Sequence, residues 1–125
     1  MKICISSTGK NLDAVVDQRF GRCQYFLIVD TETMNVKIIS NEATLASGGA
    51  GIQAAQIVTK EDVSSVITGN IGPNAFHILQ AAGIKVFTGA EGTVKEAIEK
   101  YTNGKLNETG SANVGSHSGI GGRKV

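Results

Sequence analysis

Hydrophobic and polar positions change period along the chain, and each change marks an element. Lys2 to Ser7 is a short apolar run ending in Ser7-Thr8-Gly9-Lys10, a strand followed by a turn. Asn11 to Gln18 is a polar loop anchored by Leu12, Val15 and Val16. Residues 24–30 are β-branched and aromatic, Thr31 to Asn35 is polar, and Val36 to Ser40 turns apolar again, which predicts a hairpin over 24–40. After Ser47-Gly48-Gly49-Ala50-Gly51, the apolar positions Ile52, Ala55 and Val58 recur every third residue and predict a helix with one buried stripe. A strand follows at Ser64 to Thr68. Pro73 then opens a second helix with Ala75, Ile78, Leu79 and Ala82 on its inner face and Gly83 as its stop. Ile84 to Phe87 is another strand. Val94, Ala97, Ile98 and Tyr101 give the clearest helical period of the chain, and the i,i+4 pairs Glu91–Lys95 and Glu96–Lys100 decorate its solvent side for ~0.3 kcal/mol each.

From Asn107 the sequence is Gly, Ser, Asn and Thr without apolar period, so the expected organisation is one domain over 1–106 and a disordered tail over 107–125. The order β, hairpin, α, β, α, β, α predicts a three-layer α/β/α sandwich over a mixed five-stranded sheet, an order that resembles the ribonuclease H-like arrangement. Strand, glycine turn, helix occurs around the Gly48–Gly51 stretch, at Thr68 to Asn74, and at Thr88 to Thr93. In an open sheet such turns gather at the carboxyl ends of parallel strands. A glycine entry also leaves the first N–H groups of a helix uncovered at the positive end of its dipole, which suits an anion. A second reading of the glycines is a tight turn with close helix–sheet contact.

Composition narrows the chemistry. The 125 residues are 41% hydrophobic and 18% charged with a formal net charge of +1, ordinary for one globular domain and without the concentrated basic face that nucleic acid requires. No apolar run is long enough for a membrane span, the first residues enter a strand without the pattern of a secretory signal, and two cysteines without C-x-x-C spacing favour free thiols, so the cytoplasm is expected. The first and fourth strands carry no carboxylates, which excludes a two-metal nuclease. The 48–51 pattern GGAG is not a dinucleotide fingerprint, a Walker lysine is missing, and the two Cys and two His have no zinc spacing. Two reactive candidates remain. Cys23 follows Arg22 near Arg19, where positive charge favours a thiolate able to ligate a soft metal; an inert Cys at a strand entrance is the alternative. His77 lies in the first turns of the second helix, either as a surface histidine or as a metal ligand.

Arg19-Phe20-Gly21-Arg22-Cys23 with Tyr25-Phe26, then Gly48-Gly49-Ala50-Gly51-Ile52, Gly72-Pro73-Asn74-Ala75-Phe76 and Ala82-Gly83-Ile84-Lys85-Val86 resemble the dinitrogenase iron–molybdenum cofactor biosynthesis family, collinearly over residues 1–106. That family includes NifX-type carriers, the C-terminal domain of NifB-type proteins and the orange protein that holds a molybdenum–copper sulfide cluster. The resemblance implies a ribonuclease H-like fold and non-catalytic binding of an anionic metal–sulfur cluster (molybdenum, iron or copper sulfide), with a protein partner in cofactor delivery. Arg19, Ser47, Gly48, Gly49, Gly51, Asn70, Gly72 and Asn74 are the expected cradle, and Cys23 and His77 the expected metal ligands. The cysteine-rich radical domain of the NifB type is missing, so no synthase chemistry is implied. Two rival readings are an enzyme or sensor for a phosphorylated metabolite at the same helix ends, and an interaction module without a ligand.

Overall fold

A computed structural model describes residues 1–45 and 48–113. Its strands are β1 (Lys2–Ser7), β2 (Tyr25–Asp30), β3 (Val36–Ser40), β4 (Ser65–Ile67) and β5 (Lys85–Phe87), and its helices are α1 (Ala50–Thr59), α2 (Pro73–Ala81) and α3 (Val94–Thr102). They form one sheet in the order β3-β2-β1-β4-β5. β1 and β2, and β2 and β3, are antiparallel, whereas β1–β4 and β4–β5 are parallel. The expected mixed five-stranded α/β fold is the one observed.

Strand alternation sorts side chains into two cores. Cys4, Phe26, Ile28, Val66 and Val86 face α1 and α2, while Ile3, Ile5, Leu27, Val29 and Ile67 face α3. Helices on both faces explain why the central strands are apolar without interruption. β3 is one of the two edge strands, and its Val36 and Ile38 remain exposed.

Two details of the helices differ from the periodicity reading. In α1 the buried residues are Ala50, Ala54, Ala55 and Val58; Ile52 is only partly buried and turns toward the carboxyl edge of the sheet. Three of these four buried side chains are alanines, which let the helix lie close to the sheet. In α2, Phe76 joins Ala75 and Leu79 in the core, and Ala82 is exposed beyond the helix. Gly83 follows with φ of 79°, the left-handed stop that glycine permits.

The chain also stays ordered beyond the expected domain end. Glu108 bridges Phe87, the Thr109 amide donates to the Val86 carbonyl at 2.7 Å, and the Thr88 amide donates to the Thr109 hydroxyl at 3.0 Å. Backbone pairing with β5 substitutes for the apolar burial that this stretch lacks. The remainder of the expected tail lies outside the described residues.

Candidate anion-binding cleft

β1, β4 and β5 run parallel, so their carboxyl ends share one edge of the sheet. β3 also ends there and β2 begins there. α1 and α2 start from this edge on one face, α3 on the other. The segment 17–23 crosses the same edge and is stitched on both sides. Toward α2, the Asn70 amide donates to the Gln18 carbonyl at 2.8 Å and the Phe20 amide to the Asn70 carbonyl at 3.1 Å. Gly69 permits this approach, since a Cβ there would lie 2.7 Å from the Gln18 Cα. Toward α1, a Cβ on Gly21 would lie 2.9 Å from the Gly51 Cα and 3.0 Å from its nitrogen. Two glycines are thus face to face because two backbones touch. Asn41, buried under the far end of the segment, donates its amide to the carbonyls of Gly21 (3.2 Å) and Cys23 (2.9 Å) and fixes its path.

The result is a cleft of about 550 Å³ between the starts of α1 and α2. Arg19, Gly49, Gly51, Asn70, Gly72 and Asn74 line it, which places six of the eight expected cradle residues together. Gly48 is exposed and outside the lining, and Ser47 lies outside the described residues. Among the described residues neither helix end carries a side-chain cap: the α1 N-cap is Gly49 with φ of 71°, and the α2 N-cap is Gly72, followed by Pro73. The first-turn amides of both helices therefore point at the cleft without competition from a capping oxygen. Pro73 contributes no N–H, which leaves Asn74 and Ala75 as the α2 donors.

Arg19 Nε lies 3.6 Å from the Asp17 carboxylate, which also accepts the Arg19 amide at 3.0 Å; Asp17 is nearly buried while Arg19 is 67% exposed. This pair holds the guanidinium stem and leaves its terminal nitrogens available. Arg22 is a second cationic lining residue, its Nη1 donating to the Thr44 carbonyl at 3.3 Å. Sequence reasoning treated Arg22 only as the neighbour of Cys23. The R-F-G-R spacing was the usable signal, because the turn at Gly21 and Arg22 brings both arginines to one cleft.

Three expectations need correction. Cys23 is fully buried among Phe20, Phe26 and the helices, with Asn41 Nδ2 3.6 Å from its sulfur. Burial, and then the Asp17 carboxylate, push its thiol up to about 12, the direction opposite to the anticipated thiolate. The two arginines do not offset this, because they stay on the solvent side of the segment. His77 is exposed on α2 and outside the cleft lining. The third glycine turn does not present an open helix end: Thr93 caps α3 by accepting from the Glu96 amide at 3.1 Å, while Glu96 accepts from the Thr93 amide at 2.8 Å. Among the described residues no three His, Cys, Asp or Glu side chains group as a metal site.

These features define a ribonuclease H-like α/β domain with a glycine-lined cleft at the carboxyl ends of its parallel strands. Within that class the chain belongs to the family described as dinitrogenase iron–molybdenum cofactor, whose model matches residues 1–104. It is similar to the apo form of the orange protein from Desulfovibrio gigas, with a TM-score of 0.87 and 39% identity over 90% of this chain and 95% of that one. A Thermotoga protein provisionally assigned as a NifB protein superposes with a TM-score of 0.75 at 41% identity, covering 86% of this chain and 91% of that one. An uncharacterised protein of Methanocaldococcus jannaschii is 34% identical over 90 residues, 70% of this chain and 76% of its own length. No helix among the described residues is long and apolar enough to cross a membrane.

Proposed function

We propose that this protein is a non-catalytic carrier for an anionic metal–sulfur cluster or thiometallate, held in the cleft between α1 and α2 and passed to a protein partner in the cytoplasm. The observation that carries the reading is the donor set. The cleft converges two uncapped helix ends with Arg19 and Arg22, and none of its lining side chains is Cys, His, Asp or Glu. Such a surface donates hydrogen bonds and positive potential and offers no soft ligand. It suits a metal that brings its own sulfides and rejects a bare cation. Ile52, Ile71, Pro73 and Ala75 add apolar walls. These walls favour large, weakly hydrated sulfide over phosphate, whose tightly held water is costly to strip. The family membership supports the same reading. Nothing in this cleft pairs a nucleophile with a base, so chemistry on the cargo has no side chain to perform it.

The test is a titration of the anaerobically purified protein with tetrathiomolybdate and, separately, with inorganic phosphate. Thiometallate is expected to bind at least tenfold more tightly, with affinity falling as salt rises. Phosphate binding without thiometallate binding would instead favour a sensor or enzyme for a phosphorylated metabolite.

A further inference from the structure

We infer that Asn113 is a positioning residue of the cleft and that residues 107–113 form a strap which sets its affinity for the anion. This inference rests on the anion-carrier reading above. Asn113 engages three consecutive residues of the turn between β4 and α2. Its Oδ1 accepts from the Ile71 amide at 2.8 Å, and its own amide donates to the Ile71 carbonyl at 3.2 Å. Its Nδ2 donates to the Gly69 carbonyl at 3.3 Å and to Asn70 Oδ1 at 3.0 Å. Gly69, Asn70 and Ile71 lead directly into Gly72, the open N-cap of α2. Asn70 and Ile71 also line the cleft.

The turn is thus clamped from two sides. Gln18 and Phe20 hold Asn70 from the arginine segment, and Asn113 holds it from the other flank. Only a short primary amide supplies an acceptor and two donors at once from one side chain. Aspartate loses the donors, and alanine leaves the Ile71 amide without its partner. The strap is itself anchored at a distance, through the Thr109 amide on the Val86 carbonyl of β5 and through Ala112, which packs against the core shared by α1 and α2. Its residues lie beyond the 1–104 match of the family model. Two helix ends act together on one anion only when their separation is held to a fraction of an ångström. Asn113 fixes the α2 side of that distance.

The experiment compares wild type, Asn113→Ala and Asn113→Gln, with tetrathiomolybdate as the probe and titrations run well below the thermal midpoint. Amide exchange is read at Ile71 and, as a reference across the cleft, at Gly51. Asn113→Ala is expected to bind about tenfold more weakly, equivalent to about 1.4 kcal/mol. Its Ile71 amide should exchange faster while Gly51 stays unchanged, and Asn113→Gln, which keeps the amide on a longer stem, should recover part of the affinity. A strap that merely stabilises the fold would lower the midpoint and leave affinity alone. Wild-type binding matched by Asn113→Ala within twofold overturns the inference and leaves the carrier reading standing. Absence of thiometallate binding in the wild type overturns both.

Discussion

The starts of α2 and α3 leave the same edge of the same sheet, each after a parallel strand and a glycine turn, yet they are finished in opposite ways. At α3, Thr93 and Glu96 satisfy each other's amides in a reciprocal capping box, and the Glu96 carboxylate sits on the positive helix end. At α2, and equally at α1, a glycine occupies the N-cap, and among the described residues no side chain closes the end. A serine, threonine or aspartate cap typically contributes ~1 kcal/mol relative to alanine and a few tenths relative to glycine. α3 takes that stabilisation, whereas α1 and α2 forgo it and keep their donors available. The two open ends share a cleft with the arginines, and the closed one lies across the sheet from it. Stability and binding are thus assigned to different helix ends, and the assignment is made by one or two residues at each.

The largest expected effect comes from disturbing the open side. Gly21→Ala would drive a Cβ to within 2.9 Å of the Gly51 backbone, where neither neighbour is a side chain able to rotate away. The arginine segment or the start of α1 must shift. We expect a loss of about 2 kcal/mol, within the range for overpacked sites. Thiometallate binding should weaken with it, both read by denaturant midpoint and titration. An unchanged midpoint would mean that the close approach of the two backbones is dispensable.

The next effect tests whether the open ends can be closed like α3. Gly72 has φ of −86° and ψ of 173°, an extended conformation that any residue adopts, so Gly72→Asp can install a cap without backbone strain. The carboxylate would accept from the first-turn amides of α2 and occupy the place of the anion. Stability should rise by a few tenths of a kcal/mol, while thiometallate affinity falls at least tenfold, about 1.4 kcal/mol. A variant that is more stable and still binds would remove the α2 end from the site.

Much of this contrast was readable in the chain, and the rest was hidden for definite reasons. Strand and helix order follows from periodicity because both faces of the central strands are covered, so those strands and the helices on them carry a strong apolar signal. The T-x-x-E spacing at Thr93 is a cap signature, yet Glu96 also pairs by spacing with Lys100, and the surface-pair reading concealed the cap. Cys23 looked reactive because Arg22 precedes it, but adjacency in sequence does not put two side chains on the same side of the backbone. The arginine faces water and the thiol faces the core. Asn113 left no trace in the sequence at all. Its role depends on backbone pairing to β5, which requires no pattern of side chains.

The smallest effect concerns the closed end and carries a pH signature. Thr93→Ala removes the hydroxyl that accepts from the Glu96 amide. The expected cost is ~1 kcal/mol of stability, with thiometallate affinity unchanged because α3 is not part of the cleft. The Glu96 carboxyl is held below its ordinary value, first by the Thr93 amide, then by the Thr93 hydroxyl and by Lys100. A carboxyl depressed in the folded protein stabilises it above the unfolded value, and that contribution is lost as pH falls through the folded value. Comparing wild type with Glu96→Gln isolates it, since Asp30, depressed in the same direction by the Glu32 amide, titrates equally in both. The difference in thermal midpoint should be constant at neutral pH and narrow as pH drops through and below the ordinary carboxylate range. A difference that does not change with pH would show that Glu96 caps α3 as well neutral as charged. The dipole would then contribute nothing measurable at the closed end.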